Sequence, residues 1–141
     1  MTAKLYSAAY VGFEGKLIEI ESDLSNGLPA IVIVGLGNKA IDEAKERIRS
    51  SLKNSDLVLP RKRITLNLAP ADLPKDGSSY DLPMALAILA SRQQIKLDLF
   101  EDSLFVGELA LDGKLRPVRG IISHVEVAKN SGFKRIFVPS D

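Results

Sequence analysis

Residues 64–90 read ITLNLAPADLPKDGSSYDLPMALAILA, and three textures follow one another within them. Ile64–Leu68 alternates apolar and polar residues, which predicts a strand. Residues 69–79 hold Pro70, Pro74 and Gly77, which predicts a loop. Asp81, or a serine just before it, is placed to cap a helix whose first turn tolerates Pro83. Met84–Ala90 is apolar on every side, so that helix is expected to be central and buried. A strand, a loop rich in small polar residues and a buried helix N-terminus together favour an anion or a nucleophile, because unbonded N–H groups and the helix dipole point into the loop. A serine there becomes a nucleophile only with a base in hydrogen-bond reach. The plainer reading is helix capping by Ser78, Ser79 or Asp81.

Upstream, Lys4–Tyr10 and Lys16–Leu24 read as two strands joined by a turn carrying Gly12 and Gly15. In the second, Ile18 and Ile20 take one face and Glu19 and Glu21 the other. Asn26-Gly27 and Pro29 mark a turn. Ala30–Val34 (AIVIV) is expected to be a strand buried on both faces. Asn38 is expected to cap a helix over 39–54, with Ile41, Ala44, Ile48 and Leu52 in one stripe and Glu43–Arg47 as an i,i+4 pair on its solvent side. A basic loop, Pro60-Arg61-Lys62-Arg63, leads back to the strand at Ile64.

Downstream, Leu104–Gly107 reads as a strand and Glu108–Pro117 as a hairpin about Asp112-Gly113, a dipeptide suited to a primed turn. Ile121–Ser131 reads as a third helix ended by Gly132, and Arg135–Val138 as a last strand. The order predicts an α/β (α+β) domain with a mixed sheet and about three helices. A length of 141 residues fits one domain over 1–141. A domain boundary within a longer polypeptide is expected at its end.

Composition narrows the function classes. A net charge of +1 gives no global basic field. The absence of cysteine excludes disulfides, thiolate metal sites and a cysteine nucleophile, and the single histidine, His124, cannot build a histidine metal site alone. The apolar runs are too short to cross a bilayer, so the chain is read as soluble, with no membrane partner. Gly35-Leu36-Gly37-Asn38-Lys39-Ala40 fits G-x-G-x-x-A, but Asp56 falls in a loop and not at the end of the next strand, where a ribose-binding acid belongs. The plainer reading is a glycine turn into a helix. The phosphate-loop pattern G-x-x-x-x-G-K-[ST] is absent, so this chain is not expected to hydrolyse ATP.

The segment Pro74-Lys75-Asp76-Gly77-Ser78-Ser79 resembles P-K-D-G-P-S of the Lon-type peptidases, in which the final serine is the nucleophile. Val106–Val118 is similar to their strand-hairpin segment T-G-E-(I/V)-T-L-x-G-x-V-L-P-(I/V). On that register Ser79 falls on the nucleophile, and His124 falls on the lysine of the Ser–Lys dyad. Histidine is shorter than lysine, and a serine–histidine pair usually needs a third group to orient the ring. Tyr80-Asp81 also replaces the Ala-Gly that follows the Lon serine, placing a bulky ring beside the site. Ser79 and His124 are therefore read as vestigial.

A closer resemblance covers nearly the whole chain. It runs through Val34-Gly35-Leu36, Ala40-Ile41-x-Glu43-x-x-Glu46-Arg47-Ile48-Arg49 and the segment from Ile64 to Pro83. These are similar to the N-terminal domain of the Mg-chelatase-like ComM/YifB family, departing from it at Gly37-Asn38, where the family often has Pro-Asp. The helix at 81–89 also resembles that of the Lon-like domain of the RadA recombination protein, which is not a peptidase.

The resemblance implies the ribosomal-protein-S5-domain-2-like, Lon-proteolytic-domain-like fold, in a bacterial cytoplasmic protein. It implies an AAA+ ATPase module after this domain, taking the ATP and Mg, with no cofactor in this chain. It implies a hexamer, and DNA processing such as branch migration during natural transformation. The role left to this domain is non-catalytic, with its own AAA+ module, further copies of itself and DNA as partners. Arg61, Lys62 and Arg63, then Lys114, Arg116 and Arg119, are the candidates for phosphate contacts, since both clusters sit on turns. The plainer reading is solvated surface charge. The alternatives are a degenerate Ser–His peptidase and a pure oligomerisation domain.

Overall fold

The computed structural model describes residues 2–11, 14–70, 73, 75, 78–93, 95–96, 98 and 101–140. Strands β1 (Thr2–Val11) and β2 (Glu14–Ser25) pair antiparallel, in register from Thr2 opposite Asp23 to Val11 opposite Glu14. β3 (Ala30–Val34) is followed by α1 (Asn38–Asn54), and the chain returns in β4 (Arg63–Ala69) parallel to β3. β4 also pairs antiparallel with β2, so the sheet is mixed, in the order β1-β2-β4-β3. Helix α2 (Asp81–Ser91), β5 (Ser103–Phe105), the short ribbon of β6 (Glu108–Leu109) and β7 (Leu115–Arg116), α3 (Ile121–Asn130) and β8 (Arg135–Phe137) complete the described elements. β8 pairs parallel with β5, which lies against β1.

The period-2 patterns decide which face of the sheet is covered by what. Leu5 and Ala9 of β1, Ile18 and Ile20 of β2, and Ile64, Leu66 and Leu68 of β4 are buried in one cluster with α1 and α2. Ala8, one residue out of phase, joins Leu104, Val106, Val127 and Ala128 in a second cluster. Successive strand residues point to opposite faces, so α1 and α2 cover one side of the sheet and α3 the other. Nearly all of α2 is buried, from Pro83 and Met84 to Ala90 and Ser91, as its all-round apolarity predicts. Each large buried side chain here, Met84 or Ile88, contributes about 1.5–3 kcal/mol.

Four local expectations are corrected. α1 starts at Asn38, and Gly37 is its N-cap, its carbonyl accepting the first helical N–H, that of Ile41, at 3.1 Å. β3 is the outer strand of its sheet, so only Ile31 and Ile33 are fully buried, while Val34 is 48% exposed. Among the residues of the β6–β7 turn only Gly113 has positive φ (93°), with Ala110 bonded to both Gly113 and Lys114. That is a three-residue turn with a left-handed glycine, not a primed two-residue turn. Asp81 lies inside the first turn of α2 and caps nothing; Tyr80 takes the cap position.

Gly35, with φ of 100°, sits so close to the Leu68 carbonyl that a Cβ would collide with it. Close passage of β3 beside β4 thus accounts for the first glycine of the G-x-G-x-x-A match, while Asp56 stands at the turn after α1 with φ of 58°.

Candidate functional site

The N-terminal end of α2 carries the peptidase-like segment, of which Pro74, Asp76 and Gly77 lie outside the described residues, as do Ala71 and Asp72 before it. What is described there is bonded inward. The Ser79 carbonyl accepts the Gly107 N–H at 2.9 Å, and the Gly107 carbonyl accepts the Leu82 N–H at 3.0 Å. The Asp81 N–H goes to the Ser78 carbonyl at 3.2 Å. A helix start offers a limited set of free donors, and two of those that could hold an oxyanion are engaged by protein carbonyls. Lys75, 4% exposed, turns its ammonium back into its own loop, donating to the carbonyls of Pro70 at 2.5 Å and Leu73 at 2.8 Å.

An ion pair that the sequence reading left out closes this end. Arg47 donates from Nε to Asp81 Oδ2 at 2.5 Å and from Nη2 to Oδ1 at 3.1 Å, and the Leu109 N–H adds a third bond to Asp81 at 3.1 Å. Glu43, the partner expected for Arg47, is farther, at 3.8 Å. Burial pushes the Asp81 carboxyl above its ordinary value, while the bonds from Arg47 and Leu109 pull it down. One carboxylate thereby ties α1, α2 and β6 together. The Ser78 hydroxyl donates to Glu108, which also faces Arg116 at 3.8 Å. Tyr80, expected as a ring over the site, is buried in the first core cluster.

His124 lies on α3, packed with the second cluster on the other side of the sheet, and is 4% exposed. Its Nδ1 bonds the Gly120 carbonyl at 2.8 Å, and the ring also bonds the Ala8 backbone. Desolvation lowers its pKa, against the effect of those two bonds. Among the described residues no hydrogen bond joins Ser79 to His124.

The other end of α2 is open. Arg61 and Lys62, from the loop before β4, and Arg92 and Gln93, just past the helix, line a groove of ≈ 500 Å³ with Ser91. Leu24, Val58 and Pro60 supply its apolar wall. Among the described residues none of Arg61, Lys62, Arg63 and Arg92 has an ion-pair partner. Arg92 was not singled out from sequence; one residue past a helix end, a cation reads as a partner of the helix dipole.

The second set of candidates is arranged differently. Lys114 and Arg116 sit on the β6–β7 ribbon, whose tip docks on the end of α1 through the Asn54 amide and the Leu111 carbonyl at 2.8 Å. Arg119 is exposed just before α3. A further groove of ≈ 300 Å³ is lined by Asp98, Glu101 and Asp102 beside Lys4. Among the described residues no cluster of histidine and carboxylate side chains could hold a metal ion, and no helix is long and apolar enough to cross a membrane.

The family described as subunit ChlI of Mg-chelatase matches residues 20–141. The chain is 47% identical over 129 residues to the competence protein ComM of Haemophilus influenzae, covering 92% of this chain and 25% of that protein. It is 44% identical over 137 residues to YifB of Escherichia coli, covering 97% of this chain and 27% of that one. A more distant similarity, 32% over 139 residues, links it to the Lon protease of Flavobacterium johnsoniae, covering 92% of this chain and 16% of the protease. The chain thus spans about a quarter of the length of ComM and YifB.

Proposed function

Because this chain belongs to the family of Mg-chelatase subunit ChlI, we propose that it is the non-catalytic N-terminal domain of a hexameric Mg-chelatase-like AAA+ ATPase that processes DNA in the bacterial cytoplasm. The observation that carries this reading is the 47% identity to a protein named for competence, held across 92% of the chain. ATP and Mg belong, on this reading, to a module beyond these residues, and the chemistry with them. The non-catalytic assignment is supported by the N-terminal end of α2, where the Gly107 carbonyl occupies the Leu82 N–H, and by α3, where His124, the only histidine, is committed to the Gly120 carbonyl and the Ala8 backbone. A serine hydroxyl with no base in reach stays protonated and weakly nucleophilic.

The test uses the whole protein that contains this domain. DNA-stimulated ATP hydrolysis and migration of a four-way junction are expected, unchanged by Ser79→Ala. Absence of both activities from the whole protein overturns the DNA reading. Covalent labelling of Ser79 by a serine-reactive phosphonate, lost in His124→Ala, overturns the non-catalytic reading and installs a peptidase in its place.

A further inference from the structure

We infer that the groove at the C-terminal end of α2 is a channel for the sugar–phosphate backbone of a single nucleic-acid strand. This rests on the DNA reading above and names the part of the domain that touches the strand.

Three observations converge on it. Arg61, Lys62 and Arg92 come from two segments of chain and stand on one open concavity; among the described residues they have no carboxylate partner and no carboxylate lines the groove. Three full charges outweigh the roughly half a negative charge that a helix C-terminus presents. The frame beneath them is buried and hydrogen-bonded. Ser91 is buried, donates to the Ile88 carbonyl at 2.8 Å and shares a hydrogen bond with Ser22 of β2 at 3.1 Å. The Gln93 N–H closes the helix on the Ala90 carbonyl at 3.0 Å. The same groove has an apolar lining, supplied by Leu24, Val58 and Pro60, which suits the faces of sugars and bases.

Shape selects the strand. A duplex is read by a protruding helix or ribbon that enters its grooves, whereas a concave basic groove tracks one exposed backbone. The protruding alternative in this molecule, the β6–β7 ribbon, has Arg116 beside Glu108 and its tip docked on α1. The other groove is lined by carboxylates and repels phosphate.

The experiment measures fluorescence anisotropy of a labelled oligothymidylate with this chain and with the whole protein, across a salt series. Arg61→Gln/Lys62→Gln/Arg92→Gln is expected to weaken binding about tenfold at low salt. It also flattens the slope of log affinity against log salt by about 2, since each single-strand phosphate contact contributes about 0.7. Lys114→Gln/Arg116→Gln/Arg119→Gln is expected to stay within about twofold, and a duplex of equal length to bind less tightly than the single strand. Undiminished binding by the groove variant overturns the inference, as does tighter binding of the duplex. Displacement of the oligonucleotide by polyglutamate as readily as by unlabelled strand also overturns it, in favour of an acidic peptide. If the ribbon variant loses affinity and the groove variant keeps it, the groove fails and the DNA reading stands. If neither this chain nor the whole protein binds nucleic acid, both fail.

Discussion

The two ends of α2 are built from the same helix and have opposite characters. At its start, the charged and polar groups are spent on one another: Arg47 on Asp81, Asp81 on Leu109, Ser78 on Glu108, Lys75 on its own loop, and the Leu82 N–H on Gly107. At its finish, Arg61, Lys62 and Arg92 border a groove with no carboxylate among its described lining residues. An end whose groups are mutually satisfied holds the fold. An end that leaves like charges side by side costs a little stability and gains the capacity to bind an anion. The segment that most resembles an active site in sequence is therefore the closed end, and the end poised to meet a ligand carries no recognisable motif.

The contrast breaks most readily at the closed end. Arg47→Met leaves the Asp81 carboxylate, its side chain 1% exposed, without its partner. The expected loss is about 3–5 kcal/mol, as for other broken buried pairs. In a chain of this size that lowers the melting temperature by on the order of 10 °C, read by circular dichroism. A loss below about 1 kcal/mol would mean that the pair is ornamental and the end less closed than described.

The pH dependence of stability sharpens the same point on the far side of the sheet. The His124 pKa is lowered in the folded state from an ordinary 6.5, so the unfolded chain binds its proton more tightly. Its contribution is fully present above about pH 6.5 and is lost as pH falls below that value. Between pH 6.5 and 5 the unfolding free energy should decline with a slope of at most about 1.4 kcal/mol per pH unit, and His124→Gln should flatten it. Urea titrations at several pH values decide this; an unchanged slope in the variant assigns it elsewhere.

Ser7 of β1 is fully buried, and its hydroxyl has no hydrogen-bond partner among the described residues. Ser7→Ala should stabilise the domain by about 1 kcal/mol, the lower bound for an unsatisfied buried group. Destabilisation in urea titrations would reveal a partner for the hydroxyl. The smallest effect is expected at the open end: Arg92→Gln should change stability by less than about 0.5 kcal/mol in the same titrations, because an exposed, unpaired cation holds nothing in place.

Sequence made visible what is local. The alternation at Ile18–Glu21, the stripe of Ile41, Ala44, Ile48 and Leu52, and the all-round apolarity of Met84–Ala90 each report one element and the face it buries. From these the mixed sheet and the three helices were legible. The burial of β3 is not legible in its sequence, because a β-branched run does not say whether a strand lies inside a sheet or at its margin. The residue type of Asp81 favours a cap, but Arg47 lies 34 residues earlier, and only the packing of α1 on α2 brings the two together. The groove was invisible for the same reason: Arg92 gains meaning only when α2 ends beside the loop that carries Arg61 and Lys62. His124 was legible as a residue and not as a role, since its bonds are to backbone groups that leave no mark on composition.

The outer position of β3 bears on how this domain behaves at high concentration. Ala30–Val34 is five residues without a charge, and among the described residues one edge of its backbone is unmatched. Such an edge is a template on which another extended chain can add. Pro29 before it lacks the N–H that would lengthen the ladder, and the turn at Gly35 ends it, so the template is one short strand long. Any strand addition to this sheet is therefore expected at the margin opposite β1, where Val32→Lys would discourage edge-to-edge growth without entering either core cluster.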